Sequence, residues 1–260
     1  MQNHLAMIVP VNYPKIDRFN EFYKSYQMVN PDIDFYAVIS EEESNKLDEY
    51  NQIIPEETII ICPDVNSSKN PITYKKMFAL KHLHALGQYC GYATPDCECL
   101  FVRGGFDASF MKFYYEREIV CYPTDVDFLI NIQKESCIFF EENSNLKIFK
   151  SMYSFWNTLP WYVDLHLDSF FNDTKYDSGT FFNCKWEVFD HLCYQAWLVH
   201  KGLFKISEKQ FRLEYTEDMK PKELEIFENV DLDWLRYGAR NHEYLRNQKP
   251  LMYFHADRDQ

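Results

Sequence analysis

Asp96 and Glu98 stand one residue apart in the stretch TPDCECLFVR, residues 94–103, directly before an apolar run. Carboxylates that become buried are unfavourable unless a cation or hydrogen-bond donors compensate their charge. Their oxygens are hard ligands that suit Mg²⁺ or Mn²⁺. We therefore interpret the pair as ligands of a divalent metal ion. The alternative is that both are ordinary acids at the end of a strand.

Two other groups of polar side chains could do related chemistry. Asp125 and Asp127 in PTDVDFLI also precede an apolar run and are the rival metal pair, or else acids at a strand edge or in an acceptor cleft. Asp164, His166 and Asp168 would share one face of a strand, whereas on a helix only the two aspartates would. We name Asp164 and Asp168 as candidate catalytic acids. A solvated polar face is the alternative.

Composition limits the class of protein. The chain has 260 residues, 46% of them hydrophobic and 18% aromatic, which indicates one packed globular domain. A net charge of −13 argues against a nucleic-acid partner, although one anionic ligand bridged by a cation is compatible with it. The apolar run at 5–11 is too short for a membrane span and lacks the flanks of a signal peptide, so we expect a cytoplasmic protein.

The cysteines are expected to be free thiols. Eight are present, with no CxxC pair and no sign of secretion. Cys97 and Cys99 form a CxC that could hold zinc, but no second pair lies nearby.

Strand and helix patterns alternate through the first 105 residues. Apolar runs predict strands at 5–11, 33–40, 58–62 and 89–94. Helical spacing predicts helices at 16–29 and 72–86, and a short helix that begins in the acidic stretch 41–50. This order predicts an α/β fold with a parallel sheet. Ligands of such sheets bind outside the carboxyl ends of the strands, where Asp96 and Glu98 are expected.

The second half of the chain has a different pattern, predicted to be α+β. Runs at 117–132 and 135–142 are typical of strands, 146–163 of a helix or an irregular aromatic segment, and 176–206 of a turn, a strand and a helix. We expect a single domain over 1–260, with a nucleotide-binding half at 1–105 and an acceptor-binding half at 106–260.

The stretch PDCECLFVRGGF, 95–106, resembles stretches of the form LDSDVLFVRPF in nucleotide-sugar glycosyltransferases of the GT-A type. Glu98 replaces the second aspartate of their Asp-x-Asp motif. The resemblance covers roughly residues 5–206 in outline, together with the C-terminal His255. In that family such a histidine completes the metal shell or contacts the diphosphate, and a surface histidine is the alternative here. The resemblance implies a Rossmann-like, mixed and mostly parallel sheet flanked by helices, and a Mn²⁺ or Mg²⁺ ion on Asp96, Glu98 and His255. In such an enzyme, the ion stabilises the charge that develops on a diphosphate leaving group.

The same resemblance assigns the nucleotide contacts to the ends of strands one and three. Val11, Asn12 and Tyr13 would meet the base and ribose, together with Asp64. Lys76, on the helix before the metal strand, could reach the phosphates.

The turn YDSGTFFN, 176–183, resembles the FNSG-type turn of several GT-A families. Gly179 would allow the backbone to approach the donor sugar closely. Asp177 would contact that sugar or, in an inverting enzyme, act as the base that deprotonates the acceptor hydroxyl. A plain hairpin turn is the alternative, and the stereochemical outcome stays open.

The resemblance implies transfer of a sugar from a nucleoside-diphosphate donor, with UDP expected, to a hydroxyl of a glycan or glycolipid. By analogy the pathway would be bacterial surface polysaccharide synthesis, and a glycolipid acceptor would bring the protein to the inner face of the membrane. Aromatic residues would form the acceptor cleft or, alternatively, the core: Tyr153, Phe155, Trp156, Trp161 and Tyr162. The other functions considered are a sugar-phosphate nucleotidyltransferase, whose usual glycine-rich loop is missing from NYPKID, and a catalytically inactive sugar-binding module.

Overall fold

The computed structural model describes residues 4–29, 32–97, 99–101, 104–123, 127–137, 152–153, 159–174, 180–208, 234–236 and 252–254. The α-helices of these residues are α1 (Ile16–Met28), α2 (Leu47–Asn51), α3 (Pro71–Leu86), α4 (Phe106–Glu116), α5 (Asp127–Ser136), α6 (Asp164–Asp173) and α7 (Asp190–His200). The strands are β1 (Leu5–Pro10), β2 (Asp34–Ser40), β3 (Ile59–Cys62), β4 (Gly91–Ala93), β5 (Cys99–Phe101), β6 (Glu118–Pro123), β7 (Met152–Tyr153), β8 (Trp161–Val163), β9 (Lys205–Glu208), β10 (Trp234–Arg236) and β11 (Met252–Phe254).

The central sheet has five strands in the order β3-β2-β1-β4-β8. The first four are parallel, and β8 runs antiparallel to β4. The carboxyl ends of β1 to β4 therefore meet at one edge, which we call the carboxyl edge. This sheet, flanked by helices, confirms the predicted α/β fold class.

Two smaller sheets lie beside it. In one, β5 pairs antiparallel with β11, so that Cys99 lies opposite Phe254, and β11 also pairs with β10. In the other, β6 pairs with β7 and β9. The C-terminal strands thus return to the strand that follows Asp96.

Helices cover both faces of the central sheet. Ala6 and Ile8 of β1 belong to the core cluster on the α3 side, and Leu5, Met7 and Val9 belong to the cluster on the α1 side. Successive side chains of a strand point to opposite faces, and a parallel sheet buried on both sides therefore needs a continuous apolar run. LAMIVP in β1 is such a run.

Gly91 allows α4 to lie against β4. A Cβ atom at this position would be 2.2 Å from Cε2 of Phe110, far inside van der Waals contact. Phe110 is buried, and its ring meets Trp161 of β8 edge to face. The ring fills the space that the missing side chain leaves.

The first four predicted strands are confirmed, with shifts of one or two residues at most ends. The helix at 72–86 is also confirmed as α3, and Gly87 ends it with a φ of +63°. The prediction of a strand over 117–132 is wrong in its second half, because Asp127–Ser136 is helix α5. Ile132 and Ser136 of α5 are both buried and lie four residues apart, as residues on one face of a helix do.

The aromatic segment at 146–163 ends in strand β8, which the sequence did not predict. Residues 180–189 form turns where a strand was expected before α7, and the polar stretch at 164–173, which fitted a strand or a helix, is helix α6. Among the residues described, no helix is long and apolar enough to cross a membrane. The division into a nucleotide half and an acceptor half stays a prediction.

Candidate functional site

A cavity of about 330 Å³ opens at the carboxyl edge, beside the ends of β1 and β4. The exit of β1 provides Asn12, the segment after β4 provides Asp96, and the first turn of α7 provides Asp190. The first turns of α3, from Pro71 to Lys76, and the loop before α7 complete the wall. This is the position at which parallel α/β sheets bind their ligands.

Lys76 lies between two carboxylates in this cavity. Its Nζ is 2.7 Å from Oδ1 of Asp96 and 3.7 Å from Oδ1 of Asp190. The side chain of Lys76 is 3% exposed and that of Asp190 is 1% exposed, whereas that of Asp96 is 26% exposed. Buried charges need such partners. Lys76 therefore lies at the predicted edge, with its ammonium group bound to the predicted metal ligand Asp96.

Asp190 is fixed by the core beneath the cavity. Its Oδ2 accepts hydrogen bonds from Oγ1 of Thr94, at 3.0 Å, and from the hydroxyl of Tyr162, at 2.6 Å. Burial, with the charge of Asp190, holds the pKa of Tyr162 well above its ordinary value, so this hydroxyl stays a donor. The carboxylate of Asp190 thus links α7 to β4 and β8 and supports Lys76.

His191 follows Asp190 in α7 and is also buried. Burial lowers the pKa of His191 to about 4, the charge of Lys76 acts in the same direction, and Asp190 and Asp96 oppose it. The imidazole is therefore neutral at pH 7.

Asn70, the N-cap of α3, holds the loop before α7. Its Oδ1 accepts from the backbone N–H of Thr73, and its Nδ2 donates to the carbonyl oxygens of Lys185, Trp186 and Val188 at 2.9, 3.2 and 2.9 Å. Oγ1 of Thr73 also donates to the carbonyl of Val188. The loop that carries Trp186 is therefore fixed by the start of α3, while the Trp186 side chain lines the cavity and is 55% exposed.

The predicted nucleotide contacts lie in three different environments. Asn12 lines the cavity, whereas Val11 is buried and offers its carbonyl oxygen to Lys75. Tyr13 donates its backbone N–H to Oε1 of Glu43, and its ring faces Nζ of Lys46 at 4.7 Å. Asp64 is exposed after β3, at a left-handed φ of +56°, and does not line the cavity. Among these four residues, Asn12 alone lines the cavity.

Asp164 and Asp168 lie at the opposite edge from Asp96. The backbone N–H of Asp164 donates to the carbonyl of Cys90, which precedes β4, so α6 begins at the amino edge of the sheet. Nδ1 and Nε2 of His84 lie 2.6 and 3.0 Å from Oδ1 of Asp164 and Oδ1 of Asp168. Burial lowers the pKa of His84, but the hydrogen bonds to these two carboxylates outweigh it and the pKa is raised. The geometry offers no support for a catalytic role of the pair, which stays a prediction.

Several predicted residues lie outside the described part of the chain: Glu98, Asp125, Asp177, Gly179 and His255. Asp127, of the rival metal pair, is exposed in the first turn of α5.

Of the three ligands predicted for the metal ion, Asp96, Glu98 and His255, the structure describes Asp96. It offers hard oxygen atoms and is partly exposed in the cavity, which fits Mg²⁺ or Mn²⁺. Within the described ranges no three metal-binding side chains come together. Cys97 is buried, belongs to no disulfide and also lines the cavity.

Trp161 and Tyr162 belong to the core, which was the alternative to an acceptor cleft. They are 1% and 0% exposed. Nε1 of Trp161 donates to Oγ of Ser109. Two aromatic residues do line the cavity, Trp186 and Phe189, and neither was predicted as a site residue.

Sequence reasoning also missed Asp190, Lys75 and Asn70. The dipeptide Asn70-Pro71 is a recognisable helix start, because asparagine caps helices and proline favours the first helical position. No local pattern marks Asp190, because its partner Thr94 lies 96 residues away in the chain.

No protein-family model matches the chain, and no curated protein matches its sequence. Solved structures of glycosyltransferases resemble it weakly. The apo form of mouse xyloside xylosyltransferase 1 has a TM-score of 0.42 at 8% identity, with 99% of this chain and 98% of that chain covered. The galactosyltransferase LgtC in complex with donor and acceptor sugar analogs has a TM-score of 0.43 at 9% identity, with 96% and 87% covered.

The glycosyltransferase GlyE of Streptococcus pneumoniae TIGR4 has a TM-score of 0.39 at 11% identity, with 99% of this chain and 56% of that chain covered. Scores at this level carry no argument about activity.

Proposed function

We propose that this protein is a metal-dependent glycosyltransferase that binds a nucleoside-diphosphate sugar in the cavity at the carboxyl edge. UDP is the expected nucleotide, and a hydroxyl of a glycan or glycolipid is the expected acceptor. The observation that carries the proposal is the position of Lys76, a buried cation held by Asp96 and Asp190 at the edge where α/β sheets bind ligands.

Two lysines of this cavity could donate to a diphosphate, and a bound metal ion would offset the charge of the carboxylates that also line it. Lys15 and Lys76 both line it, and an ammonium group has three donors for phosphate oxygens. Because Lys76 is held by two carboxylates, its position is fixed before a ligand arrives, and this lowers the entropy cost of binding.

Asp96, Glu98 and His255 would hold the metal ion, which neutralises charge on the departing diphosphate. Support comes from the register of β5 and β11, in which Cys99 lies opposite Phe254. Glu98 and His255 adjoin these two residues in the sequence, although they lie outside the described residues themselves.

Trp186 would contact the acceptor sugar. Its indole is exposed at the cavity while Asn70 fixes its backbone, so that a flat apolar surface is presented with little loss of entropy on binding. The apolar face of a pyranose ring can pack against such a surface. Asp177 stays the predicted sugar contact or base, and a role in bacterial polysaccharide synthesis stays a prediction by analogy.

The test is release of UDP from a panel of UDP-sugars, such as UDP-glucose, UDP-galactose and UDP-N-acetylglucosamine, with simple glycosides as acceptors. We expect release with Mn²⁺ and none with EDTA, and loss of activity in Asp96→Ala and Glu98→Ala. Glu57→Ala, at an exposed position before β3, is the control variant and should keep the activity of the unmodified protein.

Each alternative function predicts a different result in such assays. A nucleotidyltransferase would release pyrophosphate from UTP and a sugar 1-phosphate. An inactive sugar-binding module would bind glycosides without metal and release no UDP. Either result, in a folded protein, would contradict the proposal.

A further inference from the structure

Lys75 lies behind the cavity wall and is completely buried. Its Nζ donates to the carbonyl oxygen of Val11 at 2.6 Å and to Oδ1 of Asn12 at 2.8 Å. Oε2 of Glu43 is 3.9 Å away and supplies the opposite charge. Lys75 does not line the cavity, so it can act on a ligand only through the residues that it holds.

The contact with Lys75 fixes which way the amide of Asn12 points. An ammonium group has donors only, so the amide must present its oxygen to Lys75 and not its nitrogen. A flipped amide would place two donors against each other. The nitrogen of Asn12 is then the polar atom left for the cavity, and within the described part of the chain no partner binds it.

The loop that carries Asn12 is also held from its other side. Oε1 of Glu43 accepts the backbone N–H of Tyr13 at 2.8 Å, and Oε2 accepts the hydroxyl of Tyr50 at 3.2 Å. Lys75 and Glu43 therefore fix residues 11–13 before any ligand binds. A fixed donor discriminates between ligands better than one that can rotate.

We propose that Lys75 is a positioning residue that fixes Asn12 as a hydrogen-bond donor to the C4 carbonyl oxygen of a uracil base, which makes the site selective for uracil over cytosine. This inference rests on the proposed function, because it takes the ligand to be a nucleotide. Uracil has a carbonyl oxygen at C4 where cytosine has an amino group. A fixed donor on Asn12 can bond to the carbonyl oxygen of uracil, whereas it would face the amino group of cytosine, which is also a donor.

The test compares UDP and CDP, which differ only in the base, by titration calorimetry with Mn²⁺ present. We expect the unmodified protein to bind UDP at least about 10-fold more tightly than CDP, the scale of one mismatched hydrogen bond. Asn12→Asp keeps the size of the side chain and the contact with Lys75 but replaces the donor by an acceptor. We expect its UDP to CDP preference to be lost or reversed. Asn66→Asp, at an exposed position, controls for the added negative charge.

Lys75→Met separates positioning from a merely structural role. If Lys75 positions the amide of Asn12, the ratio of UDP to CDP affinity should fall towards one in Lys75→Met. The same fall is expected in Asn12→Ala. If Lys75 only stabilises the fold, both affinities fall together and the ratio is unchanged, which would overturn the inference. Should Lys75→Met fail to fold, Asn12→Asp decides alone, because it retains Lys75.

The outcomes separate this inference from the proposed function. Binding of UDP and CDP with equal affinity, or an unchanged ratio in Asn12→Asp, would overturn the role of Asn12 and leave nucleotide binding intact. Binding of no nucleoside diphosphate at all would remove the proposed function and this inference together.

Discussion

Replacing Asp190 by alanine should destabilise the fold strongly, because its carboxylate serves buried donors. Tyr162 and Thr94 donate to Oδ2 and are both 0% exposed, and Asp190 itself is 1% exposed. Each hydrogen bond to a buried charge is worth about 1.5 to 3 kcal/mol, so two are worth about 3 to 6 kcal/mol. In Asp190→Ala, Tyr162 and Thr94 can hydrogen-bond each other, which recovers about 1 kcal/mol of the lost unfolding free energy. Lys76 also keeps Asp96 as a partner in this variant. We expect Asp190→Ala to lower the free energy of unfolding by about 3 kcal/mol or more.

Urea denaturation followed by tryptophan fluorescence would measure this change. Asp190→Asn keeps an acceptor oxygen and should lose only about 1 to 2 kcal/mol. Asp168→Ala removes a carboxylate that is 87% exposed and should lose less than about 1 kcal/mol. Equal losses in Asp190→Ala and Asp168→Ala would refute the reasoning, because burial of the bonded donors would then not matter.

Gly91, His84, His191 and Trp186 each give a further prediction. Gly91→Ala should lower the unfolding free energy by about 1 to 3 kcal/mol, because the new methyl group would overlap the ring of Phe110; chemical denaturation would measure it. The pKa of His84 is raised, because its hydrogen bonds to two carboxylates outweigh the effect of burial. Protonated His84 should therefore stabilise the fold below pH 6.5, and this stabilisation should be lost as the pH rises through the folded pKa. His191, whose pKa burial lowers to about 4, should destabilise the fold as the pH falls from 6.5 towards 4. In melting curves below pH 6.5, His84→Gln should therefore be less stable than the unmodified protein, whereas His191→Gln should lose less stability on acidification than the unmodified protein does. Trp186→Ala should raise KM for the acceptor about 10-fold while KM for the donor is unchanged, as measured by initial rates; equal rises in both would count against an acceptor contact.

The parallel sheet could be predicted because its signals are local. LAMIVP in β1 is a continuous apolar run, and α3 has a proline at its first position and Gly87 after its last turn. Local signals failed at α5, because an apolar run as short as DFLINI fits a strand and a helix alike.

The position of the site was predictable from sheet topology, because Asp96 follows the end of β4 and ligands bind at the carboxyl edge. Asn12 and Lys76 were selected by the resemblance to GT-A glycosyltransferases, which also selected Val11, Tyr13 and Asp64, and these three do not line the cavity. Asp190 and Asn70 matter because of partners about a hundred residues away in the chain, such as Thr94 for Asp190 and Val188 for Asn70. A single sequence holds no local trace of such contacts.

Nucleotide binding by Lys76 tests the central claim most directly. The melting temperature would be measured with UDP, GDP, CDP and CMP, each with Mn²⁺ and with EDTA, for the unmodified protein, Lys76→Met and the exposed control Lys69→Met. The account predicts a metal-dependent rise with UDP that Lys69→Met keeps and Lys76→Met loses. No rise with any nucleotide in the folded protein, or an equal rise in Lys76→Met, would contradict it.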